Sequence, residues 1–271
     1  MDFEKKFTAL FKSIAPQYRR SEVFYDFITI FALEFYLILY GAQADESLRQ
    51  RYQTAAGHYN EDEKQALSRL FNIIVEALEH KTYDFLGSVF MALDLGDQYK
   101  AQYFTPSHIA HLMAAVTLSD CHSLIKKRGF LTLQEPTCGS GVMIIEAYNY
   151  LREEDFNPQQ QMWAQARDLD FTAALMCYIQ MTLLHIPGEV IIGNTLKDEV
   201  NYHLYTPAHI MGNWNKKLES ADSYTEAEYQ VIKPEPVEDP PLDIDWENEP
   251  MFSRKIGAVQ LTVPIFNIHK I

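Results

Sequence analysis

Residues 131–151, LTLQEPTCGSGVMIIEAYNYL, begin as a strand and finish as a helix, with only the six residues 136–141 between them. Two glycines and no bulky side chain in that turn leave backbone bare next to a buried strand and a helix N-terminus. The stretch therefore constrains the chain to a strand–turn–helix unit, and the residues after 151 repeat it. A strand is expected over 130–135, a helix from about 141 to 152, a second strand around 163–167 and a helix over 171–185. A third strand, EVII, then precedes GNTL. Alternating strands and helices argue for an α/β fold with a parallel sheet of Rossmann type.

Residues 1–98 read instead as a helical N-terminal domain. In QALSRLFNIIVEALEH, Leu67, Leu70, Phe71, Ile74 and Leu78 recur at the spacing of one helix face. YDFLGSVFMALDLG continues the habit, with Gly96 as the expected C-cap. VFYDFITIFALEFYLILY, residues 23–40, is nearly long enough to span a bilayer, but Asp26 and Glu34 are costly at membrane depth. A buried helix capped by Ser21 is the expectation, and no membrane association. The N-terminus lacks the apolar run and cleavage site of a signal peptide. Cys121, Cys138 and Cys177 lie far apart with no C-x-x-C pair, so neither a metal site nor a disulfide framework is indicated. A reducing cytoplasm fits that usage.

The formal charge of −14 is unevenly placed. Residues 219–250 hold eleven acids against Lys233 alone, and five of the twelve prolines. That stretch reads as an extended or mobile linker, and it leaves the other residues with a net charge of only −4. The division is then 1–98 helical, 99–218 α/β core, 219–250 acidic linker and 251–271 a C-terminal strand region, where KIGAVQLTVPIFNI alternates.

In a doubly wound sheet, ligands bind at the carboxyl ends of the strands. Glu135 ends the first strand, and Gly139 and Gly141 let backbone approach a ligand ahead of a helix N-terminus with free N–H groups. Asp168 ends the second strand, where an acid can accept both hydroxyls of a ribose. CGSGVM supplies two glycines where a nicotinamide-dinucleotide fingerprint wants three, and Glu135 would repel a pyrophosphate. A cationic cofactor with an amino-acid tail, S-adenosylmethionine, suits that acid better. The alternative for Asp168 is a helix cap, a role for which Asp170 is better placed. In YFTPSHIAHLMAAVTL a helix is expected with Thr105 as N-cap and Pro106 at its first position, and Ile109, Leu112, Met113 and Val116 on one face. His108 and His111 lack a third ligand and read as ordinary histidines.

QYFTP (102–106), EPTCGSG (135–141) and an acid after the second strand together resemble the N6-adenine DNA methyltransferases of the type I restriction modification-subunit group, over roughly residues 99–196. The resemblance implies a Rossmann-like, S-adenosylmethionine-dependent core preceded by helices, acting on DNA. It implies that Tyr103, Thr105 and Pro106 fold over the methionine part of the cofactor, with Glu135 near its ammonium. The turn residues Pro136, Cys138, Gly139 and Gly141 would lie beneath it, and Asp168 would hold the ribose. Asn194 of GNTL stands where an aspartate usually contacts the adenine amino group, and keeps an acceptor oxygen.

The family also implies a catalytic tetrad, [N/D/S]-P-P-[Y/F/W], which accepts the two N–H bonds of a flipped adenine and stacks on the base. No such tetrad stands in this chain. IMGNWN offers Asn213 with Trp214 as a stacking face but no prolines, and EDPPLD offers Asp239, Pro240 and Pro241 but no aromatic. The only basic clusters are short, so target choice on DNA would fall to a specificity subunit or other protein partner. Three functions are compatible with these residues: a DNA adenine methyltransferase, a catalytically inactive cofactor- or DNA-binding subunit of a restriction or defence system, and an acidic DNA mimic.

Overall fold

The structure, a computed structural model, describes residues 2–93, 95 and 105–220. Tyr103, Gly96, Asp239, Pro240, Pro241, nearly all of the acidic stretch and the expected C-terminal strand lie outside the described residues. The chain opens with five helices, α1 (Phe3–Ser13), α2 (Arg20–Tyr40), α3 (Glu46–Gly57), α4 (Glu61–His80) and α5 (Phe85–Ala92). Then come α6 (Ser107–Thr117), α7 (Cys121–Arg128), β1 (Leu131–Glu135), α8 (Val142–Glu153), α9 (Pro158–Gln161), β2 (Met162–Asp168), α10 (Phe171–Leu183), β3 (Gly188–Asn194), β4 (Glu199–Tyr205) and α11 (Pro207–Met211).

Local chemistry sets the helix starts. Asn60 and Glu63 form a reciprocal capping box at α4, and Asp45 accepts the N–H groups of Ser47 and Leu48 at α3. At α2 the cap falls on Arg19, whose N–H donates to Glu22 Oε2 at 3.1 Å, so Ser21 sits inside the first turn and not at the cap. By length and composition α2 is able to cross a membrane. Here Val23, Phe24, Phe27, Ile28, Leu33 and Tyr36 are buried in the protein core. Leu67, Leu70, Ile74 and Leu78 of α4 are buried as their spacing predicts, and Phe71 stacks on Phe31 with centroids 4.5 Å apart.

A single cluster of buried side chains runs from Phe3 through the helices to Leu204 of β4. Helices α2 and α5 lie against α10, so the helical section and the sheet share one core. Among the described residues the sheet has four strands in the order β1-β2-β3-β4. β1, β2 and β3 are parallel, while β4 is antiparallel to β3, pairing Glu189 with Tyr205 and Asn194 with Glu199. The expected parallel sheet is thus extended by an antiparallel strand and becomes a mixed one. Only residues 195–198 join β3 to β4, and a parallel crossover needs a dozen or more.

Both crossovers, through α8 and through α10, step the same way across the sheet, so right-handedness places both helices on one face. Leu131, Leu133, Met162, Ala164, Ala166, Val190 and Ile192 are buried beneath them. The opposite face carries a polar row in which Gln134 donates to Gln165, Gln165 to Glu189 at 2.6 Å, and Glu189 pairs with His203. A small cluster of Phe130, Trp163 and Trp214 covers the far end of that face.

Helix α6 differs from expectation. Its cap is Pro106, not Thr105, and the helix begins at Ser107. Ala110 and Ala114 are its buried residues, while Ile109, Leu112 and Val116 are exposed. Helix α6 lies against α8 with the small side chains of Ala110 and Ala114 buried, and of the expected face only Met113 packs partly against the core.

Candidate functional site

The turn after β1 is built from its own hydrogen bonds. Glu135 Oε1 accepts the N–H of Thr137 at 3.0 Å and its hydroxyl at 3.3 Å. The N–H of Cys138 donates to Arg167 O, which ties the turn to the end of β2, and Gly141 N–H closes on Cys138 O, both at 2.8 Å. Gly139 adopts φ +53° and Gly141 φ +102°, the left-handed backbone that glycine takes without strain. A Cβ at Gly141 would also stand 2.9 Å from Cys177 Sγ on α10. No side chain caps α8, whose first N–H groups face the turn.

Two acids flank this turn. Glu135 is 2% exposed, and its second oxygen, Oε2, is buried without a hydrogen-bond partner. Burial pushes its carboxyl up to about 7; the bonds from Thr137 oppose that shift and the nearby Asp168 charge adds to it. Asp168 accepts Gly139 N–H on Oδ2 at 2.8 Å and Asp170 N–H on Oδ1 at 2.9 Å. Burial raises its carboxyl as well, against those bonds. With those bonds made, a carboxylate still has acceptor capacity for a ligand hydroxyl. Asp170 is the residue that caps α10, accepting from Thr172 and Ala173.

At the end of β3, Asn194 Oδ1 accepts both Leu196 N–H and Lys197 N–H, at 3.0 and 3.2 Å. Its two lone pairs are thereby used, so the amide NH2 is what remains for a ligand: a donor where an acceptor was expected. Thr195 Oγ1 donates to Pro136 O at 2.6 Å and ties this loop to the glycine turn. A recess of about 360 Å³ opens here, lined by Gln134, Glu135, Pro136, Gln165, Arg167, Thr195 and Asp198. Gly139, Gly141, Asp168 and Asn194 lie at the same strand ends without lining that recess. Leu169 and Leu196, next to Asp168 and Asn194, are 65% and 99% exposed, an apolar pair at the strand ends that periodicity did not single out. In DLD, a leucine between two acids at a strand end was the signal available.

An orphaned buried carboxylate oxygen calls for a cation, two exposed leucines suit the faces of a nucleobase, and Asp168 has acceptor capacity for a diol. These acceptors and apolar faces fit S-adenosylmethionine. Cys138 is buried; its hydrogen bond with Cys177, then burial, raise its thiol well above the ordinary range, so it fills the turn as a neutral thiol. Thr105 and Pro106 are exposed at the start of α6. His108 is exposed, and His111 bridges Glu146 and Glu153 of α8. Among the described residues no cluster of metal ligands occurs.

The pair Asn213 and Trp214 does not join this site. Because β4 runs antiparallel, it returns the chain to the start of β3, and α11 begins there. Trp214 is fully buried against Phe130, at 5.1 Å between centroids, so it has no face for a base. Six residue steps along β3 separate the two ends of the sheet, about 20 Å. The expectation of a stacking face at Trp214 is corrected accordingly.

Comparison with family models matches residues 82–240 to the family described as N-6 DNA Methylase. The match takes in α5, so the boundary placed at residue 98 falls inside it. No curated protein matches the chain.

Proposed function

The chain belongs to the N-6 DNA methylase family, and from that premise we propose that it binds S-adenosylmethionine at the ends of β1, β2 and β3 and serves methyl transfer to adenine N6 of DNA. The observation that carries this reading is the orphaned Oε2 of Glu135. An ammonium placed there supplies the missing donor and draws the carboxyl back to its ionised form. Asp168 would hold the ribose hydroxyls, Leu169 and Leu196 would enclose the adenine, and the Asn194 amide would donate to a ring nitrogen. Tyr103, Thr105 and Pro106 belong to the same reading, over the methionine part. Bound in this way, the cofactor supplies an electrophilic methyl group.

The group that holds the target base lies outside residues 105–220 in this reading. Asp239, Pro240 and Pro241 are the candidates left in the chain, and a partner chain that also selects the DNA sequence is the other source. A second reading, a catalytically inactive cofactor-binding subunit, is favoured by the position of Asn213 and Trp214 at the far end of the sheet. Both readings fit three buried free thiols in a reducing cytoplasm.

Incubation of the purified protein with methyl-labelled S-adenosylmethionine and adenine-containing DNA separates them. Label on DNA supports the enzyme, and cofactor binding without transfer supports the inactive subunit. Absence of cofactor binding overturns both, and leaves the acidic DNA mimic to be tested by deleting residues 219–250.

A further inference from the structure

The helical section reaches the glycine turn through one buried acid. Asp84 caps α5 from a buried position and spends both oxygens there. Oδ1 accepts Gly87 N–H at 2.9 Å and Gln180 Nε2 of α10 at 2.8 Å, while Oδ2 accepts the hydroxyl of Ser140 at 2.5 Å. Gln180, also buried, donates to Ser140 O at 2.8 Å and accepts Leu86 N–H at 3.1 Å. Ser140 stands between Gly139 and Gly141, so its side chain and its carbonyl are both gripped from outside the turn. The approach is close: a Cβ at Gly87 would clash with Asp84 Oδ2 and stand 2.5 Å from Ser140 Oγ.

We propose that Asp84 is a positioning residue for the cofactor turn, setting the backbone of residues 139–141 through Ser140 and Gln180, so that cofactor affinity depends on the docking of α5. The inference rests on the reading of this turn as the S-adenosylmethionine site. A capping role alone would need only the Gly87 bond. The bonds to Ser140 and Gln180 leave the helix, and no cation neutralises the carboxyl among the described residues. Burial raises its pKa against those three bonds, as expected of an acid kept dry for its geometry.

The test compares Asp84→Asn, Ser140→Ala and their combination with Leu70→Ala, a core truncation in α4 away from the turn. Calorimetry with S-adenosylmethionine and amide hydrogen exchange over residues 136–145 are read on folded protein, with thermal melts alongside. The expected result is at least tenfold weaker binding and faster exchange in the turn for Asp84→Asn and for Ser140→Ala, with the double variant no worse than the poorer single one. Leu70→Ala should melt lower yet bind as the wild type. Should Asp84→Asn fail to fold, Ser140→Ala carries the same test. Unchanged turn exchange, unchanged affinity, or a loss of affinity matched by Leu70→Ala overturns the proposal. If the wild-type protein binds no cofactor while exchange in the turn still accelerates, the positioning role stands and the reading of the site falls.

Discussion

The N–H of Gly139 donates to Asp168 Oδ2 at 2.8 Å, joining the turn after β1 to the acid that ends β2. One carboxylate thus fixes the left-handed glycine and retains acceptor capacity for a ligand. Asp168→Ala removes both functions. It should cost about 1–3 kcal/mol of stability for each N–H left unpaired, those of Gly139 and Asp170, and at least tenfold in S-adenosylmethionine affinity. Urea denaturation and calorimetry measure the two losses separately.

Gly141 and Gly41 both hold positive φ, at +102° and +53°, but differ in surroundings. A Cβ at Gly141 meets Cys177, whereas none of the neighbouring atoms lies within 4 Å of one at Gly41. Alanine at Gly41 should cost only the backbone strain, about 1–3 kcal/mol, and alanine at Gly141 that strain and the clash with Cys177 together. Chemical denaturation of the two variants checks the order.

The raised carboxyl of Glu135 makes a signed prediction for stability. Its pKa moves from 4.5 to about 7 on folding, so the folded state binds this proton more tightly than the unfolded one. Its stabilising contribution is complete below pH 4.5 and is lost as pH rises to 7. Glu135→Gln has no such loss and should exceed the wild type by up to about 3 kcal/mol at pH 8 without cofactor. Denaturant midpoints from pH 4 to pH 8 test this.

Asn213 and Trp214 should be dispensable for the cofactor. Trp214→Ala empties a buried site between Phe130 and Trp163 and should cost about 3–5 kcal/mol, with no change in cofactor affinity measured on the folded variant. Any methyl transfer to DNA should survive Asn213→Ala, which a radiolabel assay reads directly.

The three parallel strands, the glycine turn and both acids were legible because each depends on local pattern: an apolar run, glycines where φ is positive, an acid at a strand end. The antiparallel β4 was not, since its direction comes from a connection too short to cross over. Ile109, Leu112 and Val116 misled because helix spacing identifies a face but not which face packs, and in α6 the alanines do. Trp214 read equally well as a stacking face or as core, and tertiary burial decided. The Asp84 network spans 56 residues to Ser140 and 96 to Gln180, distances over which sequence pattern carries no signal. A glutamine in the buried stretch of the mostly apolar α10 was the one trace of it.

Whether the orphaned oxygen of Glu135 receives the cofactor ammonium is tested most directly by titration calorimetry with S-adenosylmethionine at pH 8. The wild type should bind, with affinity falling as pH drops below 7, and Glu135→Gln should bind about a hundredfold or more weaker through loss of one partner of a buried ion pair. Equal affinity in the two proteins, or no binding by the wild type, would contradict it.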